Sequence, residues 1–261
     1  MFSDPAISGS LSALALMSAV VEALRAVTTQ NDLTGLMEAV TGAMEFRHYA
    51  LIHHDDLRWA TADLVDVKDY PSAVVDRLVG ERRYRRDPVI RGCIFADGAF
   101  LWSDLPRIIQ LDRHDRASFE IGARAGLNEG ITVPYVRLGD RLGSCTFAGT
   151  DRPELAYRFL GAAQMIGVFA FQAALKLRTG GWPARTPSSK LHPRPRECVI
   201  LAGRGYSNKE IARTLNLTPR TVDGYLTEAR LLFDAHDRTE LVVSAVLAGE
   251  IGLHELAQPR Q

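Results

Sequence analysis

Residues 205–226 read GYSNKEIARTLNLTPRTVDGYL, and their pattern is helix, tight turn, helix. Ser207 is placed to cap the first helix, and Glu210 stands three residues on, the spacing of a capping box. Ile211, Ala212 and Leu215 fall on one apolar face. Asn216 interrupts the pattern. Thr218-Pro219 then opens a second helix as N-cap and first-turn proline. Val222, Leu226 and Ala229 continue the apolar face at helical spacing. Two short helices joined this way can lay the second in a DNA major groove.

Around this core the C-terminal segment reads as all-helical. One helix runs from about Pro193 to Arg204 and is closed by Gly205. The pair over 206–216 and 218–232 follows, and Thr239–Gly249 makes a fourth. The last helix carries more apolar positions than a small bundle needs. Its extra face either packs on the first helix of the unit or forms a dimer seam. Between Lys190 and Arg220 stand seven basic residues and two acidic ones. That excess supplies the local positive field that phosphate binding requires.

Residues 178–190, RTGGWPARTPSSK, collect Gly, Pro and Ser without apolar period and read as a linker. The expected organisation is α+β. An αβα sandwich with an antiparallel sheet occupies 1–177, the linker 178–190, and an all-α, four-helix helix-turn-helix domain 191–261. Within the first part, helices are expected over 10–28 and 31–44, with Asp32 as the cap of the second. Strands are expected at Phe46–His53 and, more weakly, Ala62–Val67. Helices are expected from Pro71 to about Glu81, from Pro88 to Phe95, and over Arg113–Ala125. A hairpin of Gly130–Arg137 and Gly143–Gly149 turns at Gly139-Asp140. One long helix covers Pro153–Leu177.

The 261 residues are 46% hydrophobic and 24% charged, with a formal net charge of zero. That suits a soluble globular protein and leaves any nucleic-acid contact to a local surface. Cys93, Cys145 and Cys198 lie far apart with no metal-ligand spacing. A reduced, cytoplasmic protein is expected, with no disulfide frame and no metal or cofactor. The apolar run 11–24 lacks a basic flank and is interrupted by Ser18 and Glu22, so it reads as an amphipathic helix and not as a leader or membrane span. His53-His54-Asp55-Asp56 invites a metal reading, but adjacent strand residues point to opposite faces. No nucleophile motif is present, so no catalytic residue is expected.

The stretch Leu191–Leu253 resembles the DNA-binding domain of LuxR-type regulators. Pro193, Arg194, Glu197, Gly205, Glu210, Ile211, Ala212, Thr221, Val222 and Leu226 fit that pattern without a gap. The resemblance places Arg220, Thr221, Asp223, Gly224 and Thr227 near the groove, with Lys209 and Arg213 on phosphates. Two positions depart from it. Pro195 stands where the family has a glutamate, and Asp223 where it commonly has Lys or Arg. An aspartate there repels phosphate, though it could accept from a cytosine amino group.

The first part resembles the acyl-homoserine-lactone sensor domain of quorum-sensing members. The resemblance rests on Tyr70-Pro71, Asp87-Pro88-Val89, Phe100-Leu101-Trp102-Ser103-Asp104 and Gly130-Ile131-Thr132-Val133-Pro134. It implies that Asp87 accepts from the ligand amide and Tyr70 donates to the acyl carbonyl. Trp102 packs over the head group, and Thr132 and Thr146 supply hydroxyls. Read alone, Asp87 is equally a helix N-cap and Trp102 an ordinary core residue. Val74 and Leu78 take the places of a tryptophan and a tyrosine, so two ring positions become aliphatic. Trp59, Tyr84 and Arg85 are other polar groups nearby in sequence.

The expected partners are therefore a small-molecule signal, probed first as an acyl-homoserine lactone, double-stranded DNA with a palindromic operator, and a second copy of the chain. Alternatives are an orphan regulator with a non-lactone ligand or none, and a protein that heterodimerises with a related regulator and inhibits it.

Overall fold

A computed structural model describes residues 17–54, 64–76, 86–138, 141–180 and 191–257. Leu78, Trp59, Tyr84, Arg85, the Gly139-Asp140 turn and most of the linker lie outside the described residues. The chain divides into two compact units at position 183.

The first unit is built on a five-stranded antiparallel sheet. Helix α1 is described over 17–26, followed by α2 (Gln30–Ala43), β1 (His48–His53) and β2 (Asp66–Lys68). Next come α3 (Ser72–Val75), α4 (Pro88–Phe95), β3 (Phe100–Leu101), α5 (Leu105–Ile108) and α6 (Arg113–Arg124). Strands β4 (Gly130–Tyr135) and β5 (Gly143–Ala148) lead to α7 (Leu160–Thr179). The sheet order is β2-β1-β5-β4-β3, so β5 lies at its centre.

Strand alternation sorts the residues onto two faces. Tyr49, Leu51, Ile131, Val133, Cys145 and Phe147 join the large core under α1, α2 and α7. Helix α7 approaches closely because position 167 is glycine. A Cβ there would stand 2.8 Å from a Val133 methyl and 3.2 Å from the Cys145 Cβ. Among the described residues, Pro153–Thr179 is the stretch long and apolar enough to cross a membrane. Here it serves as the central helix of the sandwich, with Ala163, Ile166, Ala170 and Phe171 buried. The opposite face of the sheet looks toward α4, α5 and α6. Cys93, Phe100, Leu105 and Ile109 form a smaller cluster there.

Two local expectations are corrected, and one strand is new. The α2 cap is Thr29 and not Asp32. Asp32 is the N3 partner, its carboxylate accepting from Thr29 N at 3.1 Å while its own N–H donates to Thr29 Oγ1 at 3.2 Å. The segment expected as one helix from Pro153 begins as a 3₁₀ turn, Pro153–Phe159, and becomes α-helical only at Leu160. Pro153, Ala156 and Phe159 repeat every three residues. A helix of three residues per turn sets them on one face, where Ala156 is buried and Phe159 meets Phe46 edge-on. Strand β3 was not anticipated, because two residues show no alternation.

The second unit contains α8 (Pro193–Gly203), α9 (Asn208–Leu215), α10 (Pro219–Leu232), α11 (Arg238–Leu247) and a short α12 (Leu253–Leu256), which the sequence pattern did not reveal. Both expected caps form. Ser207 and Glu210 complete a capping box on α9, and Thr218 Oγ1 accepts from Thr221 N at 3.1 Å on α10. Asn216 takes the left-handed conformation at the turn, φ 54°. Cys198, Val199, Ile211, Val222, Leu226, Leu241 and Ala245 make the core. Helix α11 packs on α8, one of the two readings of its extra face. Leu241, Ala245 and Val246 are buried, while Val243 and Leu247 are exposed.

Candidate ligand pocket and nucleic-acid interface

A cavity of about 900 Å³ lies in the first unit between the sheet and the α4–α6 side. Tyr70, Val74, Asp87, Trp102 and Thr146 line it, five of the seven residues singled out in the sequence. Thr132 is completely buried and is not among the lining residues, though its strand partner Thr146, on the same face of the sheet, is. Its hydroxyl accepts from Trp102 Nε1 at 3.0 Å and shares a hydrogen bond with Thr146 Oγ1 at 3.0 Å. Thr132 thus orients two lining groups. Leu78 lies outside the described residues.

Asp87 satisfies both of its readings at once. It caps α4, with Oδ1 accepting from Val89 N at 2.9 Å and Ile90 N at 3.1 Å, and it also lines the cavity. A carboxylate has lone pairs enough for both tasks. Burial, then the neighbouring Asp87 charge, pushes the Tyr70 phenol far above its ordinary range, with the Thr146 hydroxyl partly opposing. The phenol therefore stays protonated and able to donate. Trp102 is set by the backbone beneath it. A Cβ on Gly130 would stand 2.7 Å from the indole ring. The buried Glu129 carboxylate holds this corner, accepting from Gly130 N at 2.8 Å and Ser103 N at 3.3 Å.

The cavity also has polar walls that sequence pattern did not reveal. Arg91 Nη1 lies 2.9 and 3.0 Å from the two Asp115 oxygens, and Arg91 Nη2 donates to Gln110 O at 3.2 Å. Asp115 is 3% exposed and also completes the α6 capping box with Asp112. Phe119 adds an apolar ring 6.2 Å from that of Trp102. On the sheet, Ile52 and Ser144 line the space. Ser144 stands two residues before Thr146 on β5, a same-face relation that alternation alone could have flagged.

The two histidines point apart, as strand geometry requires. His53 lies against Phe171, ring centroids 5.1 Å apart, and its Nδ1 accepts from Val65 N at 3.0 Å. His54 Nε2 is 2.9 Å from Ser144 Oγ on the opposite face. Asp55 and Asp56 lie outside the described residues. No cluster of three metal-ligating side chains occurs among the described residues.

In the second unit, Arg220, Asp223, Gly224 and Thr227 fall at i, i+3, i+4 and i+7 along α10, which gives them one face. Arg220, Asp223 and Gly224 are exposed, and Thr227 is half-buried. Thr221 belongs to the α10 cap through the 2.8 Å contact between its hydroxyl and that of Thr218. Lys209 and Arg213 are exposed on α9. Asp223 is tied to α9, its Oδ1 accepting from Asn208 Nδ2 at 3.3 Å, while Asn208 Oδ1 accepts from Arg238 at 3.1 Å. The basic excess is smaller in the fold than in the sequence. Arg196 binds the Glu255 carboxylate at 2.7 and 2.8 Å and Glu250 O at 2.8 Å, and Arg194 pairs with Glu197 at 2.8 Å.

The pocketed unit and the helix-turn-helix unit each match a known family profile. Residues 29–177 match the autoinducer binding domain, and residues 189–245 match the bacterial regulatory proteins of the LuxR family. The chain belongs to the LuxR family. It is an autoinducer-responsive transcriptional regulator of that family, with an N-terminal autoinducer-binding domain and a C-terminal DNA-binding helix-turn-helix.

Its similarity to curated LuxR-family proteins runs nearly end to end. It is 27% identical to the transcriptional activator protein BjaR1 of Bradyrhizobium diazoefficiens over 87% of this chain and 92% of BjaR1. It is 20% identical to the transcriptional activator protein LuxR of Aliivibrio fischeri over 89% of this chain and 93% of LuxR. Among solved structures, SdiA in complex with octanoyl-rac-glycerol matches at a TM-score of 0.55, with 19% identity over 95% of this chain and 97% of SdiA. The N-acylhomoserine-lactone-dependent CepR2 of Burkholderia cenocepacia matches at 0.51, with 19% identity over 65% of this chain and 99% of CepR2. At these identities the structural matches establish the fold.

Proposed function

We propose that the cavity of this LuxR-family regulator binds an acyl-homoserine lactone or a related small amphipathic signal, and that the occupied protein acts on DNA as a cytoplasmic homodimer. The observation that carries this reading is the convergence of Asp87, Tyr70, Thr146 and Trp102 on one cavity. Asp87 accepts from the signal's amide N–H, and Tyr70 and Thr146 donate to its acyl carbonyl. Trp102, fixed by Thr132, covers the head group. The volume matches that of small-molecule sites generally.

Lys209 and Arg213 hold phosphates. The α10 face of Arg220, Thr221, Asp223, Gly224 and Thr227 enters the major groove of a palindromic operator. Ligand binding stabilises the folded sensor by mass action, and the dimer that follows sets two recognition helices on two half-sites.

A thermal melt of the full chain with a panel of acyl-homoserine lactones tests the ligand. The expected result is a melting temperature that rises with concentration for at least one chain length. No rise with any member removes the lactone.

Val74 favours a second reading, a non-lactone signal or none. It lines the cavity with an aliphatic side chain, where a ring donor would have met the lactone carbonyl, and an unmet buried carbonyl costs about 1–3 kcal/mol. Native mass spectrometry of the protein from its own host separates the readings by the mass of what co-purifies. Asp223 favours an inhibitory heterodimer, and selective operator binding by the purified homodimer excludes that.

A further inference from the structure

Ser144 and Thr146 lie on the same face of β5 and both line the cavity. Two residues along a strand separate them by about 7 Å. Thr146 belongs to the head-group cluster with Tyr70 and Thr132. Ser144 belongs to another cluster. Its hydroxyl is 2.9 Å from His54 Nε2 and neighbours the Cys93 thiol of α4. Its register partner on β1, Ile52, lines the same space.

The hydrogen bonding of His54 decides which way the Ser144 proton faces. His54 Nδ1 is buried without a hydrogen-bond partner among the described residues. A neutral imidazole carries one N–H and one lone pair, and an orphaned buried N–H is the rarer and more costly outcome. The N–H therefore belongs on Nε2, where it donates to Ser144 Oγ. The Ser144 O–H is then left to donate, either to the weakly accepting sulfur of Cys93 or into the cavity. Burial, reinforced by His53, holds the His54 pKa down to about 4, so the ring stays neutral at neutral pH.

We propose that Ser144, oriented by His54, is a second polar subsite of the cavity, and that it selects a signal whose tail carries a hydrogen-bond-accepting oxygen about 7 Å from the amide. The proposal rests on the reading of the cavity as a signal site and names the chemistry of the tail. An all-carbon tail would bury the Ser144 hydroxyl against hydrocarbon. An oxygen at that distance replaces a poor sulfur acceptor with a good one.

Four ligands and the full-length protein test this by calorimetric titration. The heads are homoserine lactone and cyclopentylamine, which lacks the lactone oxygens. The tails are equal in length, one all-carbon and one carrying a hydroxyl at the stated distance. The expected result is that the oxygenated tail binds about tenfold tighter with either head. That advantage disappears in Ser144→Ala, where the two tails bind alike. Ser144→Cys, nearly the same size and a weak donor, serves if the alanine variant does not fold.

Equal or weaker binding of the oxygenated tail overturns the subsite, as does an advantage that survives Ser144→Ala. A head-group preference without a tail preference leaves the lactone reading standing alone, and the reverse leaves the subsite standing alone. Binding of none of the four overturns both.

Discussion

The hydroxyls of Thr132 and Thr146 face each other 3.0 Å apart across the β4–β5 pairing, and the first also accepts the indole N–H of Trp102 at 3.0 Å. Thr132→Val keeps the shape and removes the acceptor. The buried N–H loses its partner, at a cost of about 1–3 kcal/mol. For a unit of this size each kcal/mol lowers the melting temperature by about 2–4 °C. A drop of several degrees is expected, with a weakened near-ultraviolet signal from Trp102. An unchanged melt and spectrum would show that the relay does not hold the indole.

Asp223 bears on DNA affinity with a definite sign. It is exposed on α10 and held by Asn208, so its charge sits on the face proposed to meet DNA. Asp223→Lys replaces a repulsion with a phosphate contact. Affinity for a duplex of arbitrary sequence should rise, and the slope of log affinity against log salt should steepen by about 0.9 for each phosphate gained. Fluorescence anisotropy across a salt series measures both. An unaltered slope would place the Asp223 side of α10 away from the backbone.

The stability of the sensor unit should depend on pH through His54. Its pKa is about 4 in the folded protein against 6.5 for the free side chain. Between those values the unfolded chain binds a proton that the folded chain refuses. Stability is therefore full above about pH 6.5 and falls as pH drops toward 4. The lowered carboxylates of this unit, Asp32 and Asp112, start from 3.8, so the window above that belongs to histidine. Urea unfolding at pH 5 and pH 7 should show a loss at the lower pH that His54→Gln largely removes. The same loss in the variant would assign it elsewhere.

Local sequence signals carried the fold a long way where the physics is local. Ser207 with Glu210, Thr218 with Pro219 and Asp87 with Pro88 each mark a helix start through bonds spanning two or three residues, and all three starts are found. The miss at Asp32 has the same character. Thr29 and Asp32 stand three residues apart, the spacing of a capping box, and the box fixes Thr29 as the cap. The 3₁₀ start at Pro153 was missed because a three-residue repeat over seven residues resembles the opening of an α-helix.

The amino-acid sequence by itself determined the two-part organisation and the helix-turn-helix, because capping, periodicity and turn chemistry act between near neighbours, and its resemblance to a known family marked five of the residues that meet at the cavity. Only the tertiary structure decided what those residues do to one another. Ser144 and His54 are 90 positions apart, Arg91 and Asp115 are 24, and Arg196 and Glu255 are 59. Their pairing depends on strand register and on which helix faces cover the sheet. For the same reason Thr132, expected to supply a hydroxyl, is fully buried and bonded to Trp102 and Thr146. Arg196, counted toward the phosphate-binding field, is instead held by Glu255.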